Sequence, residues 1–191
     1  MPVIDYNVSW MVYNCLLALI AVVLGYFTIH VENKYAKVFI GLVWFLFLPN
    51  TIYIFTDLEH LIRQWQFIST SLRPILVLQY TIFEIVGIIT FLLAFYPFEK
   101  FVQLAKFFRK RKTQAFIFFN FLIAFGMVLG RVERINSWQV FTNPPAVITS
   151  ALHVMLSLHL LGLTVLFGLL CNFIYFLFRS KALSFAKTFL H

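Results

Sequence analysis

The chain has 191 residues, 62% hydrophobic and 12% charged, with a mean hydropathy of +0.90 and a formal net charge of +8. Soluble domains are about 45–50% apolar and ~25% charged. Most of this surface therefore cannot face water, and a soluble enzyme or binding module is excluded. The length allows one compact unit, and the expected fold class is all-α, an integral membrane bundle of about five transmembrane helices.

A helix needs about 20 apolar residues to cross a bilayer. The first such run covers residues 10–28. No Lys or Arg precedes it and it is long for a signal-peptide core, so it reads as a retained span. The second covers 35–55 and contains Pro49–Asn50, where a helix should kink and leave carbonyls near Phe45 and Leu46 seeking partners. Asn50 can donate to backbone there, and the kink could open a shallow cavity. Asp57, Glu59 and His60 follow at once.

The third run covers 74–97 and carries Glu84 some ten residues inside it. A carboxyl at that depth implies either a hydrogen bond to a neighbouring helix or a part in substrate binding or proton transfer. Residues 98–112, FEKFVQLAKFFRKRK, alternate apolar and basic positions and predict a basic amphipathic helix lying on the membrane surface. The fourth span covers 115–130. The last apolar run, 147–178, is too long for one perpendicular crossing. Counting back about 21 residues from Arg179 puts the true crossing near 157–178 and leaves the first turns outside it.

Basic residues set orientation. With five crossings, the first and third loops and the C-terminal tail share a side, which holds eleven of the fifteen Lys and Arg residues. The expected topology in a cell membrane has the N-terminus outside and the C-terminus cytoplasmic. The block Lys100, Lys106, Arg109, Lys110, Arg111 and Lys112 suits anionic headgroups, and no nucleic-acid-reading motif accompanies it.

That topology gathers the unusual polar groups on the outer side. Asp57 and His60 are three apart and share a helix face, as do Arg131 and Arg134. Asn136 and Trp138 follow, and His153 and His159 open the last run, pointing about 120° apart on a regular helix. Cys15 and Cys171 lie in apolar runs with no metal-ligand spacing, and no metal or other cofactor is expected. The site expected is His60 as a general base, Asp57 as its orienter and His153 beside them. Arg131 and Arg134 would clamp an anion, with Asn50, Asn136, Trp138 and Glu84 lining the substrate. Its ligand would be an anionic membrane lipid or lipid-linked head group. The competing expectation is a scaffold or subunit that binds a membrane-protein partner. In it Asp57, Glu59 and Glu133 neutralise Arg131 and Arg134 and only lock helix ends. A small transporter would need more intramembrane polar residues than Glu84, Asn120 and His159.

LFLPNTIYIFTDLEHL and GRVERINSWQVFTNPP together resemble two motifs of a bacterial multi-pass membrane family called domain of unknown function 1361. The matching positions are Pro49, Asn50, Tyr53, Thr56, Asp57, His60 and Leu61, then Gly130, Arg131, Arg134, Asn136, Ser137 and Trp138. Gln139 stands where the family pattern has an acidic residue, which removes a carboxylate from any mechanism at that point. The resemblance implies a multi-pass membrane protein and no particular activity.

Overall fold

The computed structural model describes residues 2–108 and 110–189. Helix α1 spans Pro2–His30 and α2 Lys34–Phe47, the latter capped by Asn33, whose side chain accepts from the Tyr35 and Ala36 amides. Leu48 and Pro49 form a turn, after which the chain continues as α3 (Asn50–Thr56) and α4 (Leu58–Gln64). Helix α5 runs Arg73–Leu104 and α6 Lys112–Arg131. The short α7 (Gln139–Thr142) and α8 (Pro144–Leu156) precede α9 (Leu158–Phe189).

Among the described residues five stretches are long and apolar enough to cross a membrane: Val3–His30, Lys34–Gln64, Thr70–Leu104, Lys112–Arg131 and Leu158–Lys181. The fold is that of an all-helical, multi-pass membrane protein. The helix break at Ser157 falls where the span count placed it. Ser157 is extended, and its hydroxyl accepts from the Leu160 amide as the cap of α9. Helix α8 is apolar but too short to cross.

The helix expected over 98–112 is not a separate element. Its first half completes the third span, because α5 passes through Pro97 and runs on to Leu104. A single 3-10 turn at Lys106–Phe108 follows, and Lys112 already opens α6. Arg109 lies outside the described residues. The apolar face of the segment is used within the bundle: Phe98 stacks on Phe119 at 3.7 Å and Val102 is fully buried.

Two clusters hold the bundle. The larger joins Trp44, Phe91, Phe95, Phe116, Phe119 and Tyr175 across four spans. The indole of Trp44 donates to the Ala94 carbonyl at 2.9 Å, in the turn before Pro97. The smaller cluster packs Met11, Ala18, Ile54, Leu76, Tyr80 and Phe83. Elsewhere Leu16, Leu19, Val23, Ile82, Ile85, Ile89, Leu166 and Phe173 stay exposed, as a surface solvated by lipid tails allows.

Glycines decide how closely the broken second span approaches its neighbours. An added Cβ at Gly126 would sit 2.6 Å from Pro49 Cγ, and at Gly130 only 1.4 Å from the Tyr53 hydroxyl. Gly126 and Gly130 are one helical turn apart, so α6 offers a smooth groove into which Pro49 and Tyr53 fit. On the other side Gly87 of α5 accepts Ile54, with 2.7 Å to its Cγ2. Helix α3 is thus gripped from both sides, which sets the height of Asp57 just beyond it.

Candidate functional site

Proline at position 49 cannot donate, and the turn it enforces frees carbonyls that hydrocarbon will not solvate. The chain supplies specific partners. The Asn50 amide donates to the Phe47 carbonyl at 2.9 Å, and the Thr51 hydroxyl to Leu48 at 2.8 Å. The Leu46 carbonyl is taken by the hydroxyl of Ser137, 91 residues away, at 2.8 Å. Beyond α6 the chain reverses. Ile135 donates its amide to the Leu129 carbonyl, Arg134 adopts φ 56°, and Gln139 Oε1 accepts from the Asn136 amide. This reversal carries Ser137 back onto the kink.

Asp57 terminates α3 with its side chain 1% exposed. One carboxylate oxygen accepts from Arg131 Nη2 at 2.7 Å, and the other from the Asn14 amide of α1 at 2.8 Å. Three spans meet at this one carboxylate. His60 Nε2 stands 3.9 Å from Asp57 Oδ1, beyond hydrogen-bond reach, and 3.5 Å from Arg131 Nη2. The imidazole packs against Trp10, with ring centroids 5.4 Å apart. A second layer extends along α1: Trp10 donates to Asn7 Oδ1, and Asn7 and Gln64 exchange hydrogen bonds at 2.8 and 2.9 Å.

Of the expected site residues, the structure thus brings Asp57, His60 and Arg131 together. His153 is elsewhere, paired with Glu133 at 2.9 Å. Glu59 pairs with Arg63 on its own helix, so of the expected lock only Asp57–Arg131 forms. The Arg134 side chain is exposed and makes no hydrogen bond or ion pair among the described residues. Glu84 has both carboxyl oxygens shielded from solvent and without a hydrogen-bond partner, so the bond expected to a neighbouring helix is absent among the described residues. Those residues contain no group of three or more His, Cys, Asp or Glu side chains able to hold a metal.

Asn50, Asn136 and Trp138 meet around a cavity of about 170 Å³ between α1, the Pro49 kink and the 130–138 reversal. Tyr13, Asn14, Tyr53 and Ser137 complete its polar wall, and Leu17, Phe47 and Ile135 its apolar one. Asn14 links this cavity to the ion pair, because the same side chain lines the one and donates to the other.

The residues on which these contacts rest fall within one matching family model, described as a protein of unknown function (DUF1361), which covers residues 13–174. The chain belongs to this family. No curated protein and no solved structure matches it. The DUF1361 match contains the kink, the ion pair, Asn14, both α6 glycines and the whole cavity wall. Asn7 and Trp10 precede it, and so the second polar layer extends beyond the matched region.

A second polar centre at the opposite end of the bundle was not anticipated. Glu99, 2% exposed, accepts from Arg179 Nη2 at 2.5 Å and Nε at 2.9 Å, from the Tyr175 hydroxyl at 2.7 Å and from Gln103 at 3.1 Å. The Arg179 guanidinium also lies over the Phe116 ring at 5.0 Å. A carboxylate with four donors and a stacked cation is fully paired and offers nothing to a ligand. Its sequence signal was Glu99 as the one acid in an otherwise basic segment.

Proposed function

We propose that this protein binds the head group of an anionic lipid or lipid-linked molecule at the end of the bundle formed by Asp57, Arg131 and the 130–138 reversal. We further assign it to the cell membrane with that end outward, the N-terminus outside and the C-terminus cytoplasmic, as the excess of Lys and Arg at the other end favours.

The observation that carries the assignment is Arg134. It occupies a left-handed backbone conformation that costs a non-glycine residue about 1–2 kcal/mol, and its guanidinium is spent on nothing within the described protein. Its neighbours Ile135 and Asn136 line the cavity. An exposed, unpaired cation next in sequence to the wall of a polar hollow suits an anionic head. Arg131 is already committed to Asp57, so one arginine rather than two meets the ligand. Asp57 holds Arg131 and Asn14 rather than His60, so binding rather than chemistry is the part of this function that the geometry supports.

Lipid extracted from the purified protein and identified by mass spectrometry tests the assignment. An anionic lipid enriched over the bulk membrane and lost in Arg134→Gln supports it. Equal enrichment in wild type and Arg134→Gln refutes it. Cysteines introduced at position 5 and in the 106–112 loop, labelled from outside intact cells, test the orientation: the first should label and the second should not.

The Asp57–Arg131–Asn14 contact favours a second function, a scaffold whose polar groups fasten three spans for a membrane-protein partner. It predicts that Arg134→Gln changes partner recovery and leaves bound lipid unchanged.

A further inference from the structure

We infer that the 170 Å³ cavity reads hydroxyl groups, and that the ligand's head is a sugar or other polyol rather than a bare phosphate. This rests on the binding function proposed above and names the class of head group.

The wall is neutral. Its polar members are amides, phenols, one indole and one hydroxyl; Asp57, bonded to the lining residue Asn14, is neutralised by Arg131 at 2.7 Å, and Arg134 adjoins the wall without being part of it. Most of these groups keep hydrogen-bonding capacity that the described protein does not use. Asn14 and Asn50 each donate through the amide nitrogen and leave Oδ1 without a donor. The phenols of Tyr13 and Tyr53, the Trp138 indole N–H and the Asn136 side chain make no hydrogen bond among the described residues. Acceptors, donors and groups that can do either thus face one small space. A phosphate offers acceptors only and would leave both asparagine oxygens unmatched. A hydroxyl both donates and accepts, so several together can satisfy this mixed set.

The aromatic groups fit the same chemistry. Tyr13 and Trp138 are exposed at the rim, and Tyr53 is pressed onto Gly130 so that its hydroxyl is fixed in place. Flat rings beside amides can pack on the C–H face of a pyranose while the amides meet its hydroxyls. Arg134 would then take a phosphate or similar anion linking that head to its lipid. A site built this way discriminates steeply against a head lacking the hydroxyls, because the wall groups would be left unpaired.

The full-length protein is reconstituted in phosphatidylcholine nanodiscs doped at equal mole fraction with diglucosyl diacylglycerol, phosphatidylglycerol or phosphatidic acid. Retained lipid is measured by native mass spectrometry. The glycolipid and phosphatidylglycerol are expected to be retained about tenfold over phosphatidic acid. Tyr53→Phe, which removes one hydroxyl and keeps the ring on Gly130, should lower that retention roughly three- to tenfold, the effect of one lost hydrogen bond. Asn136→Ala should do the same, and as its side chain bonds to nothing in the described protein, this variant remains informative if Tyr53→Phe folds poorly. Methyl glucoside carries hydroxyls without tails and separates a free sugar from a lipid-borne one; retention of either supports the inference. Phosphatidic acid retained as well as the glycolipid, and released by Arg134→Gln, overturns hydroxyl recognition and leaves anion binding standing. Phosphatidylglycerol, which carries both hydroxyls and a phosphate, retained less in Tyr53→Phe but equally in Arg134→Gln upholds hydroxyl recognition and removes the anionic part. Retention of none of the probes overturns both.

Discussion

Arg131→Ala isolates the contact on which the site is built. Among the described residues it leaves Asp57, 1% exposed, with the Asn14 amide as its one hydrogen-bonding partner and only the His60 ring, 3.9 Å away, as a potential counter-ion. Two unit charges about 4 Å apart interact by roughly 4 kcal/mol at the effective dielectric of a protein near its surface, and breaking one partner from a buried pair costs about 3–5 kcal/mol. Arg131 is 36% exposed, so water relieves part of that and the lower end, about 3 kcal/mol, is expected. The assay is equilibrium unfolding by SDS in mixed micelles, followed by fluorescence of the four tryptophans, of which Trp10 packs on His60 beside the pair. Asp57→Asn keeps the Asn14 contact and removes the charge, so Asp57→Asn with Arg131→Ala should be at least 1 kcal/mol more stable than the Arg131 variant alone. Additive effects, or an Arg131→Ala protein as stable as wild type, would show that the pair fastens nothing.

The α6 groove predicts a contrast between two glycines. Gly126→Ala puts its Cβ 2.6 Å from the rigid Pro49 ring and should cost about 1–3 kcal/mol, whereas Gly162→Ala meets nothing within 4 Å and should leave unfolding unchanged or slightly harder. Ser137→Ala strands the Leu46 carbonyl and should cost about 1–3 kcal/mol in the same titration; no change would mean that the kink finds another donor. Arg179→Ala should destabilise as much as Arg131→Ala or more, because Glu99 is as deeply buried and loses both an ion pair and the packing on Phe116. Glu84→Gln replaces an ionisable carboxyl with a neutral amide without removing a hydrogen bond, so stability should hold or rise; a large loss would reveal a partner that Glu84 meets only in the membrane.

Hydropathy made the five crossings legible, since a span of lipid thickness leaves a run that nothing else explains. The break at Ser157 was legible for the same reason: one run exceeded that thickness. Pro49 announced the kink and its orphan carbonyls. What the sequence could not rank was which polar groups would meet. Arg131 and Arg134 have equal spacing claims, yet the left-handed turn at Arg134 sends only Arg131 to Asp57. His153 followed the level of the site but faces Glu133, because rotation about α8 and not height decides its partner. Two usable signals were overlooked. Asn7 and Asn14 are two helical turns apart and share one face of α1, and the Gly126–Gly130 spacing marks a close approach.

The lock and the ligand site are not rival uses of the same residues, because one hydrogen bond serves both. A carbonyl left open at Leu46 costs the same roughly 1–3 kcal/mol that Ser137→Ala should reveal, so a kink at Pro49 calls for a donor from outside its own helix. Ser137 is that donor. To reach it, the chain after α6 must turn back over the kink, and Asn136 and Trp138 on either side of Ser137 are carried to the mouth of the hollow that the kink opens. The Pro49–Tyr53 turn is in turn held at that depth by Gly126 and Gly130, and Asp57 above it by Arg131. Removing the kink would therefore erase the cavity along with the need for Ser137, and removing the reversal would leave the kink unpaired. In this chain each of the two motif blocks supplies what the other lacks.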